Sequence, residues 1–229
     1  MKRCSLVLLV FIFLGFHEES YADSVSLQKQ LYMPCWEQPK KQALRSKELQ
    51  KLEKTDQSDR ANYFKLSEKG KIKIALADLK RRQRVGEIFG EGCFKTAADF
   101  RAAALIYQHG EIPDHFYQAF VWANRAVQLG DKNQKQMAAL AIDRYLVSIG
   151  HKQLFSSQAK IIPNKNGCFC MQQSEKRVPG HFIKEYGALS VKERYALYKK
   201  SFNQDKNCTL KECSEELKPT PRGTIPGFW

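Results

Sequence analysis

Thr96-Ala97-Ala98-Asp99-Phe100-Arg101-Ala102-Ala103-Ala104-Leu105-Ile106-Tyr107-Gln108-His109-Gly110 reads as one helix with both of its ends written into it. Thr96 or Asp99 can cap the first turn by accepting from its free N–H groups, and the stretch from Ala102 to Tyr107 forms the apolar body. Gly110 is the expected stop, because a glycine adopts the left-handed conformation at little cost. Pro113 then blocks continuation.

The same pattern extends to either side. Upstream, a helix is predicted from Lys41 to about Phe64, with Leu44, Leu49, Leu52, Tyr63 and Phe64 at helical spacing among good helix formers. A second is predicted from Lys73 to Gly90, with Ala75, Leu79, Val85 and Phe89 as its apolar stripe. Downstream, Phe116 to Leu129 places Ala119, Trp122, Ala123, Ala126 and Val127 on one face, and a fifth helix runs from Lys132 to Ile149. Loops of two to eight residues imply antiparallel neighbours. Beyond Ile162 the residues Pro163, Asn164, Asn166, Gly167, Pro179 and Gly180 mark loop. Ser190-Val191-Lys192-Glu193 has the capping-box pattern for a short helix to Ser201, another short helix is expected over Thr209 to Leu217, and Pro219 to Trp229 is expected to be extended.

The N-terminus predicts a cleavable export signal. Lys2 and Arg3 precede an apolar run from Ser5 to Phe16, too short for a membrane span, and Ser20-Tyr21-Ala22 offers small residues for cleavage after Ala22. Cys4 lies before the apolar run, so it is not placed as a lipidation cysteine. The expected organisation is a signal over residues 1–22, a lead-in over 23–47, a helical domain over 48–162 and a C-terminal extension over 163–229. No second apolar run long enough for a transmembrane segment follows the signal. Export makes the chain periplasmic or secreted. It also makes disulfides the first reading of the six remaining cysteines, Cys35, Cys93, Cys168, Cys170, Cys208 and Cys213. A bond between the Cys168/Cys170 pair and the Cys208/Cys213 pair would tie down a segment poor in core residues, and the C-x-C and C-x4-C spacings are not those usual for zinc. The fold class is therefore all-α, an antiparallel array of about five main helices with a loop-rich, disulfide-tied C-terminal segment.

The formal net charge is +14, and the signal carries as many acids as bases, so the excess belongs to the mature chain. It favours anionic partners such as phosphates, acidic glycans or an envelope component. The lysines are spread along the chain without interleaved aromatics, which argues against specific nucleic-acid binding.

The informative residues interrupt the apolar stripes. Met137 to Ile149 is apolar almost all round, so Asp143 and Arg144 cannot both reach water, and a buried charge needs a partner. Asp56 and Arg60 continue the inward face of the first helix, with Gln57 beside them. Asp78, Arg81 or Arg82, and Val85 share a face of the second by the 3–4 spacing. Gln108 and His109 close the third helix, and Gln153 and Gln158 follow the fifth.

At these residues the chain resembles the bacterial DUF6624 domain, a family of unknown function. The resemblance rests on Asp56-Gln57-Ser58-Asp59-Arg60, on Asp78 to Val85, on Asp99-Phe100 with Ala103 to Gly110, on Asp143-Arg144-Tyr145-Leu146 and on Gln153 to Gln158, and covers about residues 48–198. It departs at Ser156-Ser157, where the family looks like Gly-Thr before the glutamine. The resemblance implies no activity.

Two functional readings follow. In one, Asp56, Gln57, Arg60, Asp78, Arg81, Gln108, Arg144, Gln153 and Gln158 line a polar pocket for a small anionic ligand, the arginines gripping carboxylate or phosphate. His109 would carry protons there, oriented by Asp143 or Asp56, if the site is catalytic. No nucleophile motif, metal triad or phosphate loop is present, and no cofactor is implied. In the other, Ala104 to Tyr107 with Tyr117 to Gly130 resembles one Sel1 or tetratricopeptide unit, the mark of a module for a protein partner whose Asp–Arg pairs are structural. A solenoid needs about three such units, and one is evident.

Overall fold

A computed structural model describes residues 33–162, 168–201, 212–225 and 229. The expected signal segment, Cys208 and the loop over 163–167 lie outside these residues. Among the described residues there are seven α-helices and one two-stranded sheet.

Each boundary follows from local chemistry. α1 (Pro39–Arg60) has proline at its first position, where no N–H is required, and so begins within the expected lead-in. α2 (Glu68–Gly90) is capped by the Ser67 hydroxyl, which accepts from the Gly70 N–H at 3.3 Å. α3 (Ala97–Gln108) carries a full capping box, in which Thr96 accepts from the Asp99 N–H and Asp99 accepts from the Thr96 N–H. α4 (Pro113–Gln128) again starts on proline, and α5 (Gln134–Ser148) follows. β1 (Ala159–Ile161) and β2 (Phe169–Met171) pair antiparallel, Lys160 opposite Cys170. α6 (Gly180–Glu185) precedes α7 (Val191–Ser201), which opens with the expected capping box between Ser190 and Glu193.

The core forms where α3 packs on α4, α4 on α5, and α1 on α3. Alanines at 102, 103, 104, 119, 123, 138, 139 and 141 are buried and let the helix axes approach closely. Trp122 fills the remaining space, 4.6 Å from Tyr107 and 5.3 Å from Phe94 between ring centroids. Leu154 and Phe155 join this core from the segment after α5.

Several expectations need correction. The inward face of α2 is Ile74, Asp78, Arg81, Arg82, Val85 and Ile88, whereas Leu79 and Phe89 are 43% and 48% exposed. Ala75 is exposed as well, so of the expected stripe only Val85 is buried. The charged residues find partners inside and turn the helix toward them. Leu44 of α1 is also exposed. Gly110 does not take the left-handed conformation; a side chain there would collide with His115. Gly130 and Gly150 do have positive φ, at 104° and 79°. The described part of the expected helix over Thr209 to Leu217 is not helical, because Glu212 bridges to Met171 and Lys218 pairs with the backbone at His151.

Two disulfides are defined. Cys35–Cys93 joins the segment before α1 to the end of α2, with a Cα–Cα distance of 4.6 Å. Cys170–Cys213 ties β2 to the C-terminal segment, as the grouping of those cysteines suggested. Cys168 is disulfide-bonded as well. No helix among the described residues is long and apolar enough to cross a membrane.

Candidate functional site

The polar residues that interrupt the apolar stripes meet around the C-terminus of α3, in two groups. The first is built by α1, α2 and the end of α3. Asp56, fully buried, receives the His109 Nδ1 at 3.0 Å and the Gln57 amide at 2.9 Å. Its Oδ1 lies 3.6 Å from an Arg60 terminal nitrogen and 3.7 Å from Arg81 Nε. Asp78 holds both arginines, accepting from Arg60 at 2.8 Å and from Arg81 at 2.6 Å, and Asp59 reaches Arg81 at 2.8 Å. Burial acts to raise the Asp56 carboxyl, but the His109 hydrogen bond and charge, with Arg60 and Gln57, outweigh it and hold the group below the usual carboxylate range. Burial likewise opposes the Arg81 charge, and Asp78, Asp59 and Asp56 overcome it.

The second group is built by α5 and the segment after it. Asp143 is fully buried and accepts from the backbone N–H groups of Leu154 at 2.7 Å, Phe155 at 2.9 Å and Ser157 at 2.9 Å. Burial pushes its carboxyl up to about 6, against the pull of those three donors. Gln153 locks the same segment by donating to Gln158 O and Gln172 O and accepting from the Gln158 N–H. Asp143 is therefore the anchor of the 154–157 backbone and makes no bond to His109. Of the two carboxylates expected to orient His109, Asp143 and Asp56, it is Asp56 that pairs with it.

The two groups are joined by two arginines on the last carbonyls of α3. Arg144 donates to Gln108 O at 2.5 Å, and Arg82 donates to His109 O at 3.0 Å. Cations suit that end of a helix, where unpaired carbonyls concentrate negative potential. Arg144 also reaches Gln158 Oε1 at 3.3 Å and lies over the Phe116 ring at 5.5 Å. Among the described residues it has no carboxylate partner. Burial lowers its pKa, the nearby Tyr198 opposes this, and the Arg60 charge lowers it further.

The assembly reaches solvent at Arg60 and His109, whose side chains are each 22% exposed. With Nδ1 on Asp56, the histidine leaves Nε2 without a partner among the described residues. Several buried polar atoms here also lack hydrogen-bond partners, namely one terminal nitrogen of Arg60, Arg81 Nε, Arg82 Nε and Gln108 Oε1. Gln57 is exposed and meets the site only through Asp56.

Three contributors escaped the sequence reading. Tyr198 of α7 donates to Ser157 O and sits near Arg144 and Asp143. It is more than 40 positions from Ser157 and no spacing points to it. Asp59 lay inside a quoted motif but outside the inward stripe. Arg82 enters the spacing argument only as an alternative to Arg81, yet both are buried with different partners.

Comparison of the chain with protein-family models, with curated proteins and with solved structures finds no match.

Proposed function

We propose that this chain is an exported bacterial protein, of the DUF6624 kind, that binds a small anionic ligand at the edge formed by Arg60, Arg144 and His109. The observation that carries this reading is the state of Arg144, a mostly buried cation with no carboxylate partner among the described residues, within the field of Arg60, which has an unused buried donor. Such a pair is costly alone and is relieved by one anion placed between the two groups. A phosphate or carboxylate matches the forked donors of arginine, and His109 Nε2 supplies a third contact. Asp56 fixes the histidine ring for this role. Turnover of the ligand would use His109 as the proton carrier.

The test is thermal unfolding against inorganic phosphate, citrate and cell-wall muropeptides, with chloride matched for ionic strength. An anion that binds the native state raises the midpoint progressively with its concentration. The rise is expected in wild type and absent in Arg144→Gln. An equal rise with chloride, or an unchanged response in Arg144→Gln, would remove the site.

A second reading draws on a separate feature. Phe89, Phe100, Tyr117, Trp122, Arg125 and Tyr186 line a groove of about 580 Å³ on the α3–α4 face. Phe89, 48% exposed, and the partly buried Phe100, Tyr117 and Tyr186, with Arg125 beside them, suit a protein partner. A Val121→Asp change in this groove would abolish capture of such a partner and leave the anion response intact.

A further inference from the structure

A larger cavity, of about 740 Å³, is lined by Leu154 and Ser156, by the hairpin at Met171 and by α7. Leu154, Met171, Val178, Ile183, Val191 and Tyr195 make its apolar wall, and the volume is that of a small-molecule site. Three observations separate it from an ordinary crevice. Gln172 lines it, is 8% exposed and has a side-chain carbonyl oxygen without a donor. A buried amide oxygen is left unpaired only at a cost, and the terminal torsion of glutamine is soft enough to turn that oxygen into the cavity. Ser156, on the same wall, has φ 56°, a left-handed conformation that a non-glycine residue adopts under constraint. Lys176 and Lys192 are exposed and carry no ion pair among the described residues; of the two acids that line the cavity, Glu175 accepts from the Thr220 N–H and Glu212 is exposed.

We infer that this cavity binds an amphipathic acyl compound of the N-acyl amino acid type. The apolar wall takes the acyl chain, Gln172 accepts from the amide N–H, and the carboxylate meets Lys176 and Lys192. Each group of the ligand answers one otherwise unanswered feature of the cavity. The site is distinct from the Arg60–Arg144 edge and does not depend on it.

The probes are N-decanoylglycine and N-decanoylsarcosine, which differ by replacement of the amide hydrogen with methyl, titrated calorimetrically below their aggregation concentrations. Wild type is expected to bind the glycine compound at least tenfold more tightly. Gln172→Leu should bring the two affinities within twofold, and Val178→Trp, which fills the cavity from a partly exposed position, should weaken both. Circular dichroism checks that each variant is folded. Equal affinities in wild type, a preference retained in Gln172→Leu, or no saturable binding would overturn the assignment. Displacement of the probe by inorganic phosphate would also overturn it, by placing the carboxylate on the Arg60–Arg144 edge.

Discussion

Two aspartates in this protein illustrate how the same side chain takes opposite roles. Asp56 is buried against cations and held below its ordinary range, so its contribution to stability is present above that range and is lost in acid. Asp143 is buried against backbone N–H groups, and desolvation brings it up to about 6. The native state therefore takes up a proton that the unfolded chain, near 4, does not. Its contribution is complete below pH 4 and is lost as pH rises through 6. Relative to Asp143→Asn, wild type should gain about 2 kcal/mol between pH 7 and pH 4.5, read from urea unfolding of both proteins. A gap between the two that stays constant over that window would show that Asp143 remains ionised throughout.

At the scale of elements, α3 organises its neighbours. Its N-terminus is closed by Thr96 and by Asp99, which is fully buried and also accepts from Ser46 of α1 and from the Lys95 N–H. Thr96→Ala should cost about 1 kcal/mol, the usual value of a lost cap. Asp99→Ala should cost more, because it strands two backbone donors and removes a link to α1; chemical denaturation of the pair gives the ranking. These caps could be read in advance, since capping depends on residues three positions apart. So could the burial of Asp56, Asp78 and Asp143, because each interrupts an apolar stripe. The rotation of α2 could not, because its inward face is set by partners on α1 and α3 that only the fold brings near. The hairpin was missed for another reason, since strands of three residues are too short to show alternation. Tyr198 depends on the docking of α7, about which local spacing is silent.

For the molecule as a whole, covalent ties complement the helical core. Cys35–Cys93 spans 58 positions and encloses α1 and α2, the two helices that supply Asp56, Arg60, Asp78 and Arg81. Replacing both cysteines by serine should lower unfolding free energy by about 4 kcal/mol, on the chain-entropy model for a ring of this size. Reduction of wild type should cost more, because it also opens Cys170–Cys213 and the bond at Cys168. Beyond the helices, Cys170–Cys213 holds the C-terminal segment against β2, on the wall that Met171 shares with the acyl cavity.

The Cys35–Cys93 ring has a mechanical consequence too. A chain pulled from its two ends cannot pay out the residues inside the ring, so its contour length stays shorter by about 200 Å at ~3.5 Å per residue. A tether or translocating motor acting on the oxidised protein would feel the enclosed α1–α2 pair as a slip-free knot, released in a single step when a reductant reaches the sulfurs.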